Sequence, residues 1–162
     1  MMRAIFVIAM LICVTPAMAT AWGHYSNLRF GYGIDIPPDF VGSGESDNGD
    51  GQRFERPVRA QSLVVWGGNA LEGFEDETAE RMEYLTDDGW NITYQATTPT
   101  WASFSAVSGQ RVLYQRLIAL CGGSQYGAFQ LKYSMPDIAT MNAVVERLVT
   151  SLSVETSKTC RQ

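Results

Sequence analysis

The residues whose types best suit chemistry cluster between positions 45 and 55. Glu45, Asp47, Asn48, Asp50 and Glu55 carry the oxygen ligands that a hard cation such as calcium prefers. Asp47, Asn48 and Asp50 are the candidate ligands, but their spacing does not make a calcium-binding loop of the helix–loop–helix type. Setting Asp50-Gly51 at the fifth and sixth places puts Ser46 first and Pro57 twelfth, so the closing bidentate glutamate is missing. Gly and Asx residues also form tight turns for conformational reasons alone. The segment is therefore expected to be a solvated turn, and no metal is assigned.

His24 is the sole histidine, so any serine or cysteine triad would have to use it. No serine stands in a G-x-S-x-G context, and one histidine with two cysteines makes a poor zinc set. Glu72, Glu75, Asp76, Glu77, Glu80 and Glu83 could hold an acid pair. On a helix, however, Asp76 and Glu80 lie one turn apart on one face, whereas glycosidase carboxylates oppose each other across a cleft. These acids are read as a charged solvent face. No catalytic residue and no cofactor are assigned.

Three cysteines remain to be placed: Cys13, Cys121 and Cys160. The first falls in an export signal. Arg3 supplies the charge of a short leading region, Ala4 to Val14 run without a charge, and Ala17-Met18-Ala19 offers small residues for cleavage after Ala19. The uncharged run is too short for a span of about 20 residues. A periplasmic or secreted location is expected for a single domain over 20–162, without a membrane span in the mature chain. Loss of the signal leaves Cys121 and Cys160, which should bond in an oxidising compartment. Their bridge closes a loop of about 40 residues, worth about 4 kcal/mol in the chain-entropy model.

The mature chain carries eleven Lys and Arg against seventeen Asp and Glu, a net charge of −6. An acidic chain without a basic cluster is unsuited to the phosphate backbone, so nucleic acid is not an expected partner. The stretch from Trp90 to Gly109 has no charge. Trp90 and Trp101 flank a strand there and mark a possible binding face, or a buried strand pair.

The elements that must position these residues follow from periodicity. His24 to Ile36 reads as a strand, apolar at every second position from Leu28, with Gly31 and Gly33 allowing a bend. Gly42 to Gly51 reads as an exposed loop, and Arg53 to Glu55 as a short strand. Ser62 to Trp66 reads as a strand stopped by Gly67-Gly68. An amphipathic helix is expected over Phe74 to Asp87. Four strands follow: Asn91 to Gln95, Trp101 to Val107, Arg111 to Leu120 and Tyr126 to Tyr133, with a hairpin turn at Ser108-Gly109. A second helix starts at Met135-Pro136-Asp137 and shows an apolar stripe through Met141, Val144, Val145, Leu148, Val149 and Leu152. Short turns between strands imply a mostly antiparallel sheet flanked by two helices, the α+β class.

Tyr25-Ser26-Asn27-Leu28-Arg29-Phe30-Gly31-Tyr32, followed by Ile34-Asp35-Ile36-Pro37 and Phe40, resembles the opening of PsbP-like domains. Leu131-Lys132-Tyr133 before a Pro-Asp helix start is similar to their ending. The chain also resembles short exported bacterial proteins marked by a loop like Asn48-Gly49-Asp50-Gly51, a group without an assigned activity. The resemblance implies a PsbP-like α+β fold used as a non-catalytic scaffold for partner proteins, and it transfers no functional residue. The expected role is an exported binding or accessory protein, with an envelope protein as a possible partner. The alternatives are a periplasmic enzyme with a dispersed site, or a structural envelope protein.

Overall fold

The computed structural model describes residues 21–155 and Cys160; the expected export signal lies outside the described residues. The first segment is a hairpin rather than one strand. Strand β1 (Gly23–Asn27) pairs antiparallel with β2 (Tyr32–Ile36). The reversal is made by Asn27, whose side-chain oxygen accepts from the Phe30 amide at 2.8 Å, and by Gly31 at φ 72°. That positive φ is open to glycine at no steric cost. The alternation over Tyr32, Ile34 and Ile36 is a strand pattern; its extension back to Leu28 is broken by the turn, and Leu28 is exposed.

The main sheet holds β3 (Val41–Glu45), β4 (Gly51–Arg56), β5 (Gln61–Asn69), β6 (Asn91–Thr97), β7 (Trp101–Ser108), β8 (Arg111–Leu120) and β9 (Gln125–Ser134). Its order is β3-β4-β5-β9-β8-β7-β6, antiparallel throughout. Helix α1 (Phe74–Asp87) joins β5 to β6. Helix α2 (Ile138–Ser151) follows β9, and the short β10 (Ser153–Val154) returns to pair with β2. The α+β arrangement expected from the strand and helix periods is therefore present.

Two elements run further than their local sequence suggests. The Gly-rich stretch after Val41 begins as β3 on the sheet edge, where Gly44 at φ 94° and an irregular register with β4 break the ladder. Such irregularity protects an edge from further pairing. Strand β5 continues through Gly67-Gly68 instead of stopping there. A Cβ on Gly67 would stand 2.5 Å from the Phe30 ring, so the glycine serves close packing rather than a break.

The sheet has two apolar faces. On the first, Leu63, Val65, Phe129, Leu131 and Tyr133 meet Tyr32 and Ile34 from the small sheet and Met141 and Leu148 from α2. On the second, Ala102, Phe104, Leu113, Leu117 and Ala128 meet Phe74 and Leu85 of α1. Helix α1 buries Phe74, Thr78 and Leu85, and the Thr78 hydroxyl donates to the Phe74 carbonyl at 2.9 Å. Glu75, Asp76 and Glu77 occupy its first turn, where the helix dipole favours negative charge. Cys121 and Cys160 form a disulfide with their Cα atoms 5.4 Å apart, which fixes Cys160 at the β8–β9 corner.

Candidate functional site

Helix α2 and the small sheet cover the first face only in part. Toward β6 and β7 no helix among the described residues covers that face, Trp101, Ser105, Tyr114 and Arg116 are partly exposed there, and the side chains come from alternate positions of three paired strands. Across the ladder, Trp101 of β7 pairs with Ile118 of β8, Ser103 with Arg116, and Ser105 with Tyr114. Tyr94 of β6 pairs with Ser105 and is exposed. The register between β6 and β7 shifts between Ile92 and Tyr94. Thr93 and Ser105 join their hydroxyls at 3.0 Å.

Arg116 is the centre of this face. Its guanidinium carbon lies 4.7 Å from the centre of the Trp101 ring, and an Nη1–H donates to the Ser103 hydroxyl at 2.8 Å. Its Nε is buried and has no hydrogen-bond partner among the described residues. Burial pushes the Arg116 pKa down from its ordinary value, although an arginine stays charged at any physiological pH. On its inner side the Tyr114 ring stacks on Phe129 with centroids 6.1 Å apart. A half-buried arginine lying over a tryptophan, with tyrosines beside it, has the composition that dominates protein-binding hot spots.

The structure places Trp90 and Trp101 on opposite faces of the sheet. Trp90 belongs to the second face, where it packs near Ile92 and receives the Lys132 ammonium 5.3 Å from its ring centre. Trp101 therefore contributes to the open face without Trp90. Arg116 carries no signal in the sequence, and Tyr114 reads there only as one of several aromatics of which most are expected in the core. The alternation of Arg111 to Leu120 put Tyr114 and Arg116 on one side of a strand, but nothing local shows which side lacks a helix.

Asp47, Asn48 and Asp50 stand in a turn closed by hydrogen bonds among Ser46, Asn48 and Asp50. One carboxylate oxygen of Asp50 accepts from the Ser46 hydroxyl at 2.6 Å, and the other from the Asn48 side-chain amide at 2.8 Å. These bonds hold the Asp50 pKa below the usual carboxylate range, the Ser46 bond most strongly and against its partial burial. Arg29 donates to the Asn48 carbonyl. Among the described residues, no group of three or more His, Cys, Asp or Glu side chains stands close enough to hold a metal ion.

His24 is a tether between elements. Its Nδ1 meets Asp35 at 3.1 Å and its Nε2 meets Glu155, while Arg147 of α2 donates to Asp35 at 2.9 Å. Hydrogen bonds to Glu155 and Asp35 hold the imidazole pKa above its ordinary 6.5, against a small desolvation penalty. The acidic run of α1 faces solvent for the most part. Within it Glu77 pairs with Arg81 at 2.8 Å and Glu80 accepts from the Tyr84 hydroxyl.

An antiparallel sheet with one helix on each face and a small sheet beside the second helix defines the PsbP-like fold, and the chain has that fold. Among solved structures it is similar to the cyanobacterial PsbP of Synechocystis sp. PCC 6803, with a TM-score of 0.64 and 13% identity over 89% of this chain and 98% of that one. It is also similar to the Ran-binding protein Mog1p of Saccharomyces cerevisiae, with a TM-score of 0.61 and 11% identity over 86% and 98%. A variant of Mog1 gives a TM-score of 0.62 at 10% identity over 85% of this chain and 97% of that one. No protein-family model matches the sequence, and no curated protein matches it. Among the described residues, no helix is long and apolar enough to cross a membrane.

Proposed function

We propose that the protein is an exported binding or accessory module, without chemistry of its own, that docks a protein partner on the open sheet face around Trp101 and Arg116. The observation that carries this reading is the half-buried Arg116 guanidinium lying 4.7 Å from the centre of the Trp101 ring, with both side chains partly exposed on this face. A partner presenting a carboxylate or backbone carbonyl would accept a charge-assisted hydrogen bond from the remaining guanidinium N–H groups. The fold supports the same direction, since a Ran-binding protein shares it.

The compartment belongs to this proposal too. The export signal, cleaved after Ala19, would deliver the chain to the periplasm or the medium, where the Cys121–Cys160 disulfide is stable. An envelope protein with an acidic or carbonyl-rich edge is the proposed partner. The test uses the mature protein, tagged and returned to the envelope fraction. A stoichiometric complex that is lost with both Trp101→Ala and Arg116→Lys supports the reading. A complex unaffected by both substitutions, or no complex, refutes it.

A further inference from the structure

The two edges of the main sheet differ in how they are closed. Strand β3 has Gly44 at φ 94° and an irregular register with β4. Strand β6 ends the other side, and among the described residues no strand pairs with its outer edge. Its irregularity, between Ile92 and Tyr94, leaves 94–97 in regular register against 102–105 of β7. That run has neither a proline nor a charge, the devices that commonly block an edge. Tyr94, Gln95 and Thr97 are exposed. Backbone N–H and C=O groups on the outer side of such a strand can pair with a further strand.

The charge beside this edge selects what can join it. Directly paired residues share a face of the sheet. Gln95 pairs with Phe104 and Thr97 with Ala102, both of the second-face core, so they lie on the side of α1. Helix α1 packs against β6, and Met82 and Ile92 pack on that same core. About the buried line through Thr78 and Leu85, the helical repeat puts Arg81 on one flank and Glu75, Met82 and Glu83 on the other. Arg81 reaches Tyr126 of β9 and the Trp66 ring of β5, so its flank lies away from β6 and the other flank lies toward it. Glu75 and Glu83 are both exposed. They are eight residues apart in sequence, about 12 Å along the helix axis. Four residues of strand advance about 13 Å and return to the same face, so side chains at i and i+4 of an added strand match that spacing.

We infer that the outer edge of β6 is a docking site for an extended segment of a partner protein, added as a further strand with Lys or Arg at alternate positions facing α1. Backbone hydrogen bonds along 94–97 supply the affinity, and the acidic flank of α1 selects a basic segment. A second copy of the chain fits less well. Pairing two β6 edges antiparallel puts both α1 helices on one side of the joined sheet, with the acidic flanks opposed. Each mature chain also carries a net charge of −6.

The probe is a short peptide of alternating Lys and Val, with Glu-for-Lys and central-Pro peptides as controls. It is titrated into the mature protein at low salt and followed by backbone-amide NMR. Saturation at about 1 mM or tighter is expected, with the largest shifts at 94–97 and new protection of those amides from hydrogen exchange. The Glu and Pro peptides should bind about tenfold more weakly or not at all. Gln95→Lys, which puts a charge on the exposed edge, should weaken the Lys peptide about tenfold. Glu75→Gln with Glu83→Gln should weaken it about threefold or more and remove most of its salt dependence. Arg116→Lys, on the other face, should bind it as the wild type does, so this edge and the Trp101 face stand or fall separately. Absence of saturation, shifts centred outside 94–97, equal binding of the Glu peptide, or unchanged affinity in Gln95→Lys overturns the inference. So does sedimentation showing a dimer that Gln95→Lys dissociates, since a second copy then occupies the edge.

Discussion

Removing the Cys121–Cys160 disulfide offers a perturbation whose size follows from topology alone. The bridge joins residues 39 apart in sequence. In the chain-entropy model, closing a loop of about 40 residues restricts the unfolded chain by about 13 cal/mol/K, or about 4 kcal/mol at room temperature. The native side should change little. Leu152 still seals the core, and β10 keeps its pairing with β2. For a chain of this length, 1 kcal/mol moves the melting midpoint by about 3 °C, so a fall of about 12 °C is expected for the double variant Cys121→Ser, Cys160→Ser. Calorimetry of the mature protein and the variant measures the midpoint, and urea titration should show a steeper dependence for the variant, whose unfolded chain expands further. An intact-mass measurement without reductant should give the wild type two hydrogens below the thiol form. A midpoint shift under about 3 °C would refute the reasoning, because the loop would then restrain nothing the fold does not already restrain.

Stability should also depend on pH through His24. Its raised pKa contributes stability that is whole below pH 6.5 and is lost as pH rises through the folded-state value. Asp35 is held below 3.8, first by its bond to His24, and Glu155 below 4.5, first by its bond to Ser26; their contributions are whole above those values and fade as pH falls through the lowered ones. The melting midpoint should therefore be highest between about pH 4.5 and 6.5, and His24→Gln should flatten the decline on the alkaline side; an unchanged profile contradicts the tether. Gly67→Ala should cost about 1–3 kcal/mol by forcing a methyl against Phe30, measured by urea unfolding, and a neutral result would mean that β5 and the small sheet are not in close packing. Expressed with its signal in a Gram-negative host, the mature chain should begin at Thr20 on N-terminal sequencing; retention of Met1 would contradict export.

Much of the fold was legible because most elements are strongly periodic. Phe74–Asp87 and Arg111–Leu120 have the bounds expected from their spacing, and the stripe from Met141 to Leu152 marks the helix that packs under Leu131 and Phe129. The departures occur at glycines. Gly67 and Gly68 look like a strand stop in isolation, yet the residues that need their missing side chains, Phe30 and Tyr126, are distant in sequence. Gly31 looks like a bend within one strand, yet Asn27 makes it the close of a reverse turn. The site was less legible than the fold for a physical reason. Alternation along β7 and β8 sorts side chains into two faces, but it does not say which face a helix will cover. Trp101 could therefore be singled out, whereas Arg116, which lies on Trp101 from across a strand pair, could not. Trp90 has the same local character as Trp101 and falls on the other face.

The central claim is that the open face around Arg116 binds a protein partner, and the most direct measurement is the affinity of the captured partner for the mature protein and two variants by calorimetric titration. The account predicts a loss of about 2 kcal/mol or more, roughly 30-fold, for Trp101→Ala and for Arg116→Lys, with melting midpoints that stay well above the assay temperature. Gln115→Met, on the opposite face, should bind the partner as the wild type does. Equal affinity across wild type, Trp101→Ala and Arg116→Lys would contradict the account.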